Sequence, residues 1–363
     1  MADPHNILVI RLSSLGDVLM SIPAVRSLRR HFPDAHISWL AEGSVAGILA
    51  QQDFIDDVIY FPRGALSRHF KEGHIATTAY ILKDFLKNLR QRKYDLIIDL
   101  HGIAKSVAFM LLARGGRTVG FSGMFAKDLS QLFYRERVNG IQKRIHKVDR
   151  NMLIARFMGC PDAAAELPLK AHDKARLYID DFFRSHTIRG PVFAINPFAS
   201  RDSAFKRWPL ERYADLSRKI IENDMGSVVI IWGPGEREEA TRLAAMAGEG
   251  VELACQTDIA QLYALLAQCS LYIGGDTGTT HLASAAQIPV VAVFGPTDFI
   301  VNRPYSGKSV IIRKDIPCSP CKNKNCKTRE CLTSISVDQV FDAVKKINLE
   351  NEAVACRVVS KTL

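Results

Sequence analysis

The chain has 363 residues, 47% of them hydrophobic and 24% charged, with a formal net charge of +10. That length can bury two hydrophobic cores, so two domains are expected; no apolar run approaches the roughly 18 residues of a membrane span, and the Ile7–Ile10 run breaks at Arg11, unlike a secretory leader. Residues 1–180 carry 26 Lys and Arg against 18 Asp and Glu, and residues 181–363 carry 22 against 20, so the basic excess sits in the first half.

Such an excess fits nucleic acid, an anionic membrane surface or an anionic substrate, the plain alternative being a solvated basic face. No helix-turn-helix, RNP-like or paired Cys/His finger pattern accompanies it, which speaks against nucleic acid. A cytoplasmic protein is expected.

Asn6 to Arg11 (NILVIR) reads as a β-branched strand that opens into Leu12–Asp17. A helix is expected over Val18–His31 and a strand over Ile37–Leu40. Neither G-x-G-x-x-G nor G-x-x-x-x-G-K-[ST] is present, which disfavours a nicotinamide-dependent dehydrogenase and a P-loop enzyme. What the loop offers is one carboxylate, Asp17, beside Gly16 at the carboxyl end of the first strand. Open parallel sheets bind ligands there; the plain alternative for Asp17 is a helix cap. Val58–Phe61 is a strand ending in Pro62-Arg63, followed by a helix over Thr77–Arg92 and a strand over Tyr94–Asp99. A helix carrying Lys105 and Ser106 and a strand over Thr118–Phe121 come next. Arg63, His101 and Lys105 thus fall just past strand ends, on the same edge as Asp17. Singly each reads as a solvent-facing loop charge; together they make a pocket for an anionic acceptor. Gly159–Leu169 (GCPDAAAELPL) breaks the periodicity and puts the inter-domain link near Ala171–Gly190.

Pro191–Asn196 restarts the strands and leads through Ser200 to Lys206-Arg207-Trp208-Pro209, with Pro209 opening a helix. An ammonium on that loop can neutralise a leaving diphosphate. Val228–Trp232 is a buried strand, and Glu236 follows at the start of a helix. There an acid either caps the helix or accepts the two hydroxyls of a ribose, with Glu239 as its competitor. Val251–Cys255 is a further strand. Leu271–Ile273, the Gly274-Gly275 break, Asp276-Thr277, a helix over Thr280–Ala286 and a strand over Pro289–Phe294 form a strand–turn–helix–strand unit. Free N–H groups at its helix start suit a diphosphate. Thr277, Gly278, Thr279 and Thr280 are the phosphate candidates; Asp276, itself an anion, orients the loop or takes a sugar hydroxyl. Cys318, Cys321, Cys326 and Cys331, spaced C-x2-C-x4-C-x4-C, read as a structural zinc set rather than disulfides in a reducing compartment. A last helix begins at Ser336.

In this order the motifs resemble glycosyltransferase family 9, the heptosyltransferases. Asp276, Thr277, Gly278, His281, Leu282 and Ala283 are similar to its D-T-G-x-x-H-L-A, and Phe294–Asp298 to its F-G-P-T-D. Arg11, Ser13, Gly16 and Asp17 resemble R-x-S-x-x-G-D; Lys206, Trp208 and Pro209 resemble K-x-W-P; and His146, Val148, Asp149 and Arg150 resemble H-x-V-[DE]-R. His101 stands where the family often has Gln, within D-x-Q-G-x-x-K-S. The resemblance implies an α/β chain of the GT-B glycosyltransferase fold, two Rossmann-like β/α/β domains facing each other across a cleft. These are an acceptor-binding domain over 1–175 and a nucleotide-sugar-binding domain over 176–335, with 336–363 a helix crossing back to the first. It also implies an inverting, metal-independent transfer of L-glycero-D-manno-heptose from ADP-heptose to the inner core of lipopolysaccharide, leaning towards the heptosyltransferase II type. No cofactor is required, and the protein would be peripheral at the cytoplasmic face of the inner membrane. Asp17 takes the role of general base, Lys206 and Ser200 face the diphosphate, Glu236 the ribose, and Asp276, Thr277, Gly278, Thr279, Thr280 and His281 the donor. Ser13, Arg63, His101 and Lys105 face the acceptor. Two other readings are a GT-B-like sugar-nucleotide epimerase, which needs acid/base pairs facing the donor's C2, and a non-catalytic nucleotide-sugar-binding protein.

Overall fold

The computed structural model describes residues 3–359 except 44, 51, 141–143, 162–164, 187, 189 and 322, and the side chains of these except 201 and 350–359. The chain divides after Lys170 into two compact units, each built on one parallel sheet of six strands. Parallel strands are covered on both faces and so read as unbroken apolar runs, as NILVI, VFAIN and VVAVF do here.

The first unit begins β1 (Asn6–Ile10), α1 (Leu15–Leu19), α2 (Ile22–His31), β2 (His36–Glu42), α3 (Val45–Leu49) and β3 (Asp57–Phe61). It continues α4 (Arg63–Lys71), α5 (Ile75–Leu89), β4 (Tyr94–Asp99), α6 (Ala104–Leu112), β5 (Gly115–Ser122), β6 (Glu136–Asn139) and α7 (Lys147–Phe157). The strand order is β3-β2-β1-β4-β5-β6. Connections therefore diverge beyond the carboxyl ends of β1 and β4, which opens a crevice there. The helix expected over Val18–His31 is two helices. Pro23 lacks an N–H and is tolerated only in a first turn, so the chain stops α1 and restarts α2 with Pro23 near its start. Nothing in the periodicity announces α4, which has no buried residue, or β6, four residues long at the sheet edge.

The second unit runs α8 (Asp173–Ser185), β7 (Val192–Asn196), α9 (Leu210–Glu222), β8 (Ser227–Ile230), α10 (Arg237–Ala247), β9 (Val251–Leu253) and α11 (Ile259–Leu266). Then come β10 (Leu271–Gly275), α12 (Gly278–Ala285), β11 (Val290–Phe294), α13 (Phe299–Asn302), β12 (Ser309–Arg313), α14 (Glu330–Thr333) and α15 (Val337–Val359). Its order, β12-β11-β10-β7-β8-β9, repeats the scheme of the first sheet, with the divergence between β7 and β10. The core gathers Phe193, Trp208, Tyr213 and Ile273 with Val340, Phe341 and Val344 of α15. Trp208 Nε1 donates to the Ile335 carbonyl at 3.1 Å, and Arg212 donates to the same oxygen. The lead-in to α15 is thereby bound to the loop that carries Lys206. α15 packs against α9, β11 and β12 of this unit; the expectation that the helix over 336–363 crosses back to the first unit reaches side chains from 350 on that lie outside the described residues.

Candidate active site

Asp17 stands in the first turn of α1, just past the end of β1. Its Oδ1 lies 3.1 Å from Arg11 Nη2 and 2.8 Å from Lys147 Nζ, and Ser14 Oγ donates to its Oδ2 at 3.1 Å. Burial pushes the carboxyl up, but Arg11, Lys147 and Arg150 together outweigh it and hold Asp17 far below the usual carboxylate range. Lys147 and Arg150 lie one turn apart on α7, so one helix face aims two cations at one acid. Burial and then the like charge of Arg11 bring the Arg150 guanidinium down to about 10.

The acceptor candidates converge on an acid that no motif contains. Ser13 Oγ donates to Glu42 Oε1 at 2.7 Å, Lys105 Nζ to Oε2 at 2.9 Å, and Arg63 Nη1 lies 3.7 Å from Oε1. Glu42 ends β2, and its side chain is 5% exposed. Burial raises its carboxyl, while the bonds from Ser13 and Lys105 and the charge of Arg63 bring it below its ordinary value. The signal in the sequence was an acid closing an apolar strand (WLAE), at the edge where Asp17 already stood.

His101 accepts from the Leu12 N–H at Nδ1, at 3.3 Å, so the neutral ring carries its proton on Nε2. Burial and then Arg11 lower it to about 4. His101 is thus an uncharged donor, the polar capacity of the Gln that the resembling motif has. Its loop is set by Asp99, fully buried, which accepts from His101 N–H (2.8 Å), Gly102 N–H (3.1 Å), Ser106 Oγ (2.7 Å) and Tyr134 OH (2.7 Å). Position 120 must be glycine for this, because a Cβ there would meet the Tyr134 ring at 2.4 Å.

In the second unit, Lys206 Nζ lies 3.0 Å from Asp276 Oδ2, joining the loops after β7 and β10. Gly275 packs against the Lys206 carbonyl, where a Cβ would sit 3.6 Å away. Thr277 is the N-cap of α12, and its own N–H closes on the Gly275 carbonyl at 2.9 Å. Gly278 and Thr279 open the helix, whose first-turn N–H groups lack intrahelical acceptors. Thr280 is buried, its hydroxyl donating to the Gly275 carbonyl, and His281 is buried in the same helix. The Thr280 hydroxyl ties the loop from beneath, and Thr277–Thr279 form its half-exposed rim.

Glu236 is the N-cap residue of α10 and accepts the Gly233 N–H at 2.8 Å. Burial raises its carboxyl against that bond and Arg207. Arg207, which the motifs passed over, lies 3.5 Å from Glu236 Oε1 and 3.1 Å from Glu239 Oε2, and donates to the Ala199 carbonyl. The two acids that compete for the ribose are therefore linked by one guanidinium. Ser200 is exposed on the loop after β7.

Cys318, Cys321, Cys326 and Cys331 line one cavity of about 40 Å³, but no three of their sulfurs lie within 4.8 Å of one another. Among the described residues His69, Glu72 and His74, at the α4–α5 turn, do have ligand atoms that close. With side chains 24%, 48% and 58% exposed, they form a solvated charge cluster. No helix among the described residues is long and apolar enough to cross a membrane.

Residues 82–332, more than half of the chain, match the family model of glycosyltransferase family 9 (heptosyltransferase). Lipopolysaccharide heptosyltransferase 1 of Pseudomonas aeruginosa is 28% identical over 331 residues, 88% of this chain and 87% of that one. Lipopolysaccharide heptosyltransferase 2 of Escherichia coli K12 is also 28% identical, over 96% of this chain and 100% of that one. The solved structure of E. coli heptosyltransferase WaaC with ADP matches with a TM-score of 0.75 at 25% identity, over 95% of this chain and 99% of that one. The paired parallel six-stranded sheets are the GT-B fold of those enzymes.

Proposed function

The chain belongs to glycosyltransferase family 9, the heptosyltransferases, and on that premise we propose that it moves L-glycero-D-manno-heptose from ADP-heptose to a hydroxyl of the lipopolysaccharide inner core. The observation that carries the reading is the pair of points, one in each parallel sheet, where the strand order reverses. An ionised carboxylate, Asp17, stands at the reversal of the first sheet; Lys206 and the start of α12 stand at that of the second.

The first unit takes the acceptor and the second the donor. Lys206 and the N–H groups opening α12 neutralise the diphosphate, while Glu236 or Glu239, held by Arg207, accepts from the ribose hydroxyls. The acceptor oxygen attacks the anomeric carbon from the face opposite the diphosphate, so the configuration inverts. The bond to ADP breaks ahead of the new one, leaving an oxocarbenium-like centre. The charge that develops on ADP is met by Lys206, whose worth is greatest at that moment. Asp17, held far below the usual range by its cations, is a weak base towards a neutral alcohol. It takes the proton late, once attack has made the hydroxyl acidic. Lys105, Arg63 and Ser13 await the anionic groups of the acceptor.

Within the family we favour the type that adds the second heptose, because the match to the type 2 enzyme spans nearly all of both chains. The working place is the cytoplasmic face of the inner membrane, where an acceptor built on a lipid is presented. An epimerase would need acid/base groups free to face the donor sugar; Asp276 and Glu236 are engaged by Lys206 and by Gly233 with Arg207, which disfavours it. The test mixes the purified protein with ADP-heptose, with and without core acceptors bearing no heptose or one. Acceptor-dependent release of ADP and a mass gain of one heptose support transfer; ADP-heptose bound but never consumed with either acceptor would leave a binding protein.

A further inference from the structure

We propose that the α4–α5 hairpin is the surface by which this protein docks on an anionic phospholipid bilayer. The inference rests on the reading of the acceptor as lipid-borne, and it names the face that meets the lipid.

A helix that covers a sheet buries a stripe of three or four residues every two turns. α5 falls short of that: over fifteen residues it buries Phe85 and Leu89, and α4 buries none. The hairpin instead leaves large apolar side chains in solvent, Phe70 at 65%, Ile75 at 60%, Tyr80 at 72% and Leu82 at 42% exposure. Single exposed apolar residues are ordinary, but several on one element mark an interaction site.

Their spacing sets them beside positive charge. Ile75, Ala79 and Leu82 follow one another at intervals of four and three, which makes one exposed stripe on the flank of α5, while Leu86, the next in line, packs against the core. Lys83, Lys87 and Arg90 follow at four and three, a parallel stripe on its outer side. An apolar stripe bordered by Lys and Arg is the pattern of a helix lying in a lipid headgroup layer, with the long cationic side chains reaching the phosphates. Residues 63–93 hold eight Lys and Arg against two acids, and among the described residues Lys71, Lys83 and Lys87 make no ion pair. That charge commits the surface to anionic lipid rather than to a neutral apolar groove on another protein.

The topology supplies the purpose. β3 and β4 run parallel in the same sheet, with β2 and β1 between them, and α5 leads back from the carboxyl edge of one to the amino edge of the other. Its first turn, with Ile75, and the end of α4, with Phe70, therefore lie towards the edge where Arg63 and Glu42 stand. A bilayer there presents its lipid-anchored sugars to the acceptor pocket.

The test is co-sedimentation of the full-length protein with phosphatidylcholine vesicles with or without phosphatidylglycerol. Binding is expected only with the anionic lipid, weakening with salt. Lys83→Glu with Lys87→Glu should weaken it at least tenfold, since each cation near such a surface contributes about fivefold. A triple variant, Phe70→Ser, Ile75→Ser and Tyr80→Ser, should lose it to a similar degree. Both variants should transfer heptose to a de-acylated, water-soluble acceptor at the wild-type rate, because none of these residues belongs to the pocket. Unchanged vesicle binding in both variants overturns the proposal. So does a wild-type protein that ignores anionic vesicles, or variants whose one change is the loss of a dimer. Should vesicle binding follow the pattern while no heptose is transferred to any acceptor, the docking surface stands and the transferase reading fails.

Discussion

The ammonium of Lys206 lies 3.0 Å from the Asp276 carboxylate, and the two side chains come from the loops that leave neighbouring strands β7 and β10. On the proposed reading the diphosphate shares Lys206 with this internal anion. Lys206→Ala is expected to lower kcat by about 10²- to 10³-fold, the scale of removing one group from a developing anion. Lys206→Ala combined with Asp276→Asn should cost less than the sum of the singles, because contacting residues couple. Steady-state kinetics of the four proteins checks this; strict additivity would mean that the pair is incidental.

Asp17→Asn should cut kcat by about 10²- to 10⁴-fold, the usual contribution of a positioned base, with ADP affinity unchanged by calorimetry. The depressed carboxyl also fixes a pH expectation. A group whose folded pKa lies below its unfolded one, ordinarily 3.8, stabilises the fold above that value and loses the effect as pH falls towards the folded value. Asp17 therefore stays charged throughout the neutral and mildly acidic range. Its ionisation should give kcat/KM no acidic limb between pH 5 and pH 8. A limb that vanishes in a variant lacking Lys147 and Arg150 would contradict the ion-pair account.

His101→Gln should keep most of the activity, since the amide can still donate where Nε2–H does. The same change should alter acid stability. His101 falls from an ordinary 6.5 to about 4 in the fold. Between those values the unfolded chain binds a proton that the folded protein refuses, so stability drops as pH falls through the window, by roughly 3 kcal/mol at most. Urea unfolding at pH 5 and pH 7.5 is the check: the difference should shrink in the variant, and an equal difference in both proteins would relieve His101 of that role.

Glu42→Gln keeps the shape and removes the charge that gathers Ser13, Lys105 and Arg63. Lys105 and Arg63 then lose the anion between them, at a cost of about 1 kcal/mol because both cations reach solvent. The acceptor KM should rise more than kcat falls, because the proposed function has these groups hold the acceptor and not the leaving group. A drop in kcat alone would place Glu42 in the chemistry instead.

Much of this was legible in the chain. Apolar runs such as VFAIN fixed the strands because a parallel sheet hides both faces; Gly16 and Gly274-Gly275 located the loops that carry Asp17 and Asp276, and the Pro197 stop the one that carries Lys206. Less visible was whatever depends on contacts distant in sequence. Glu42 meets Lys105 across 63 residues, and Arg207 joins Glu236 and Glu239 from another loop; neither has a local pattern. Thr280 read as a phosphate ligand because hydroxyls at a helix start often are, yet its neighbour in space is the Gly275 carbonyl. Helix α4 was missed because it buries nothing, so it leaves no periodic trace.

The Ile335 carbonyl, shared by Trp208 and Arg212, makes the end of the chain a brace for the nucleotide loop. A protein cut short ahead of it would strand two donors at once, one of them a fully buried indole. Under the proposed function, loss of ADP retention would then precede any loosening of the first unit, and a segment remote in sequence would set how firmly the leaving group is gripped.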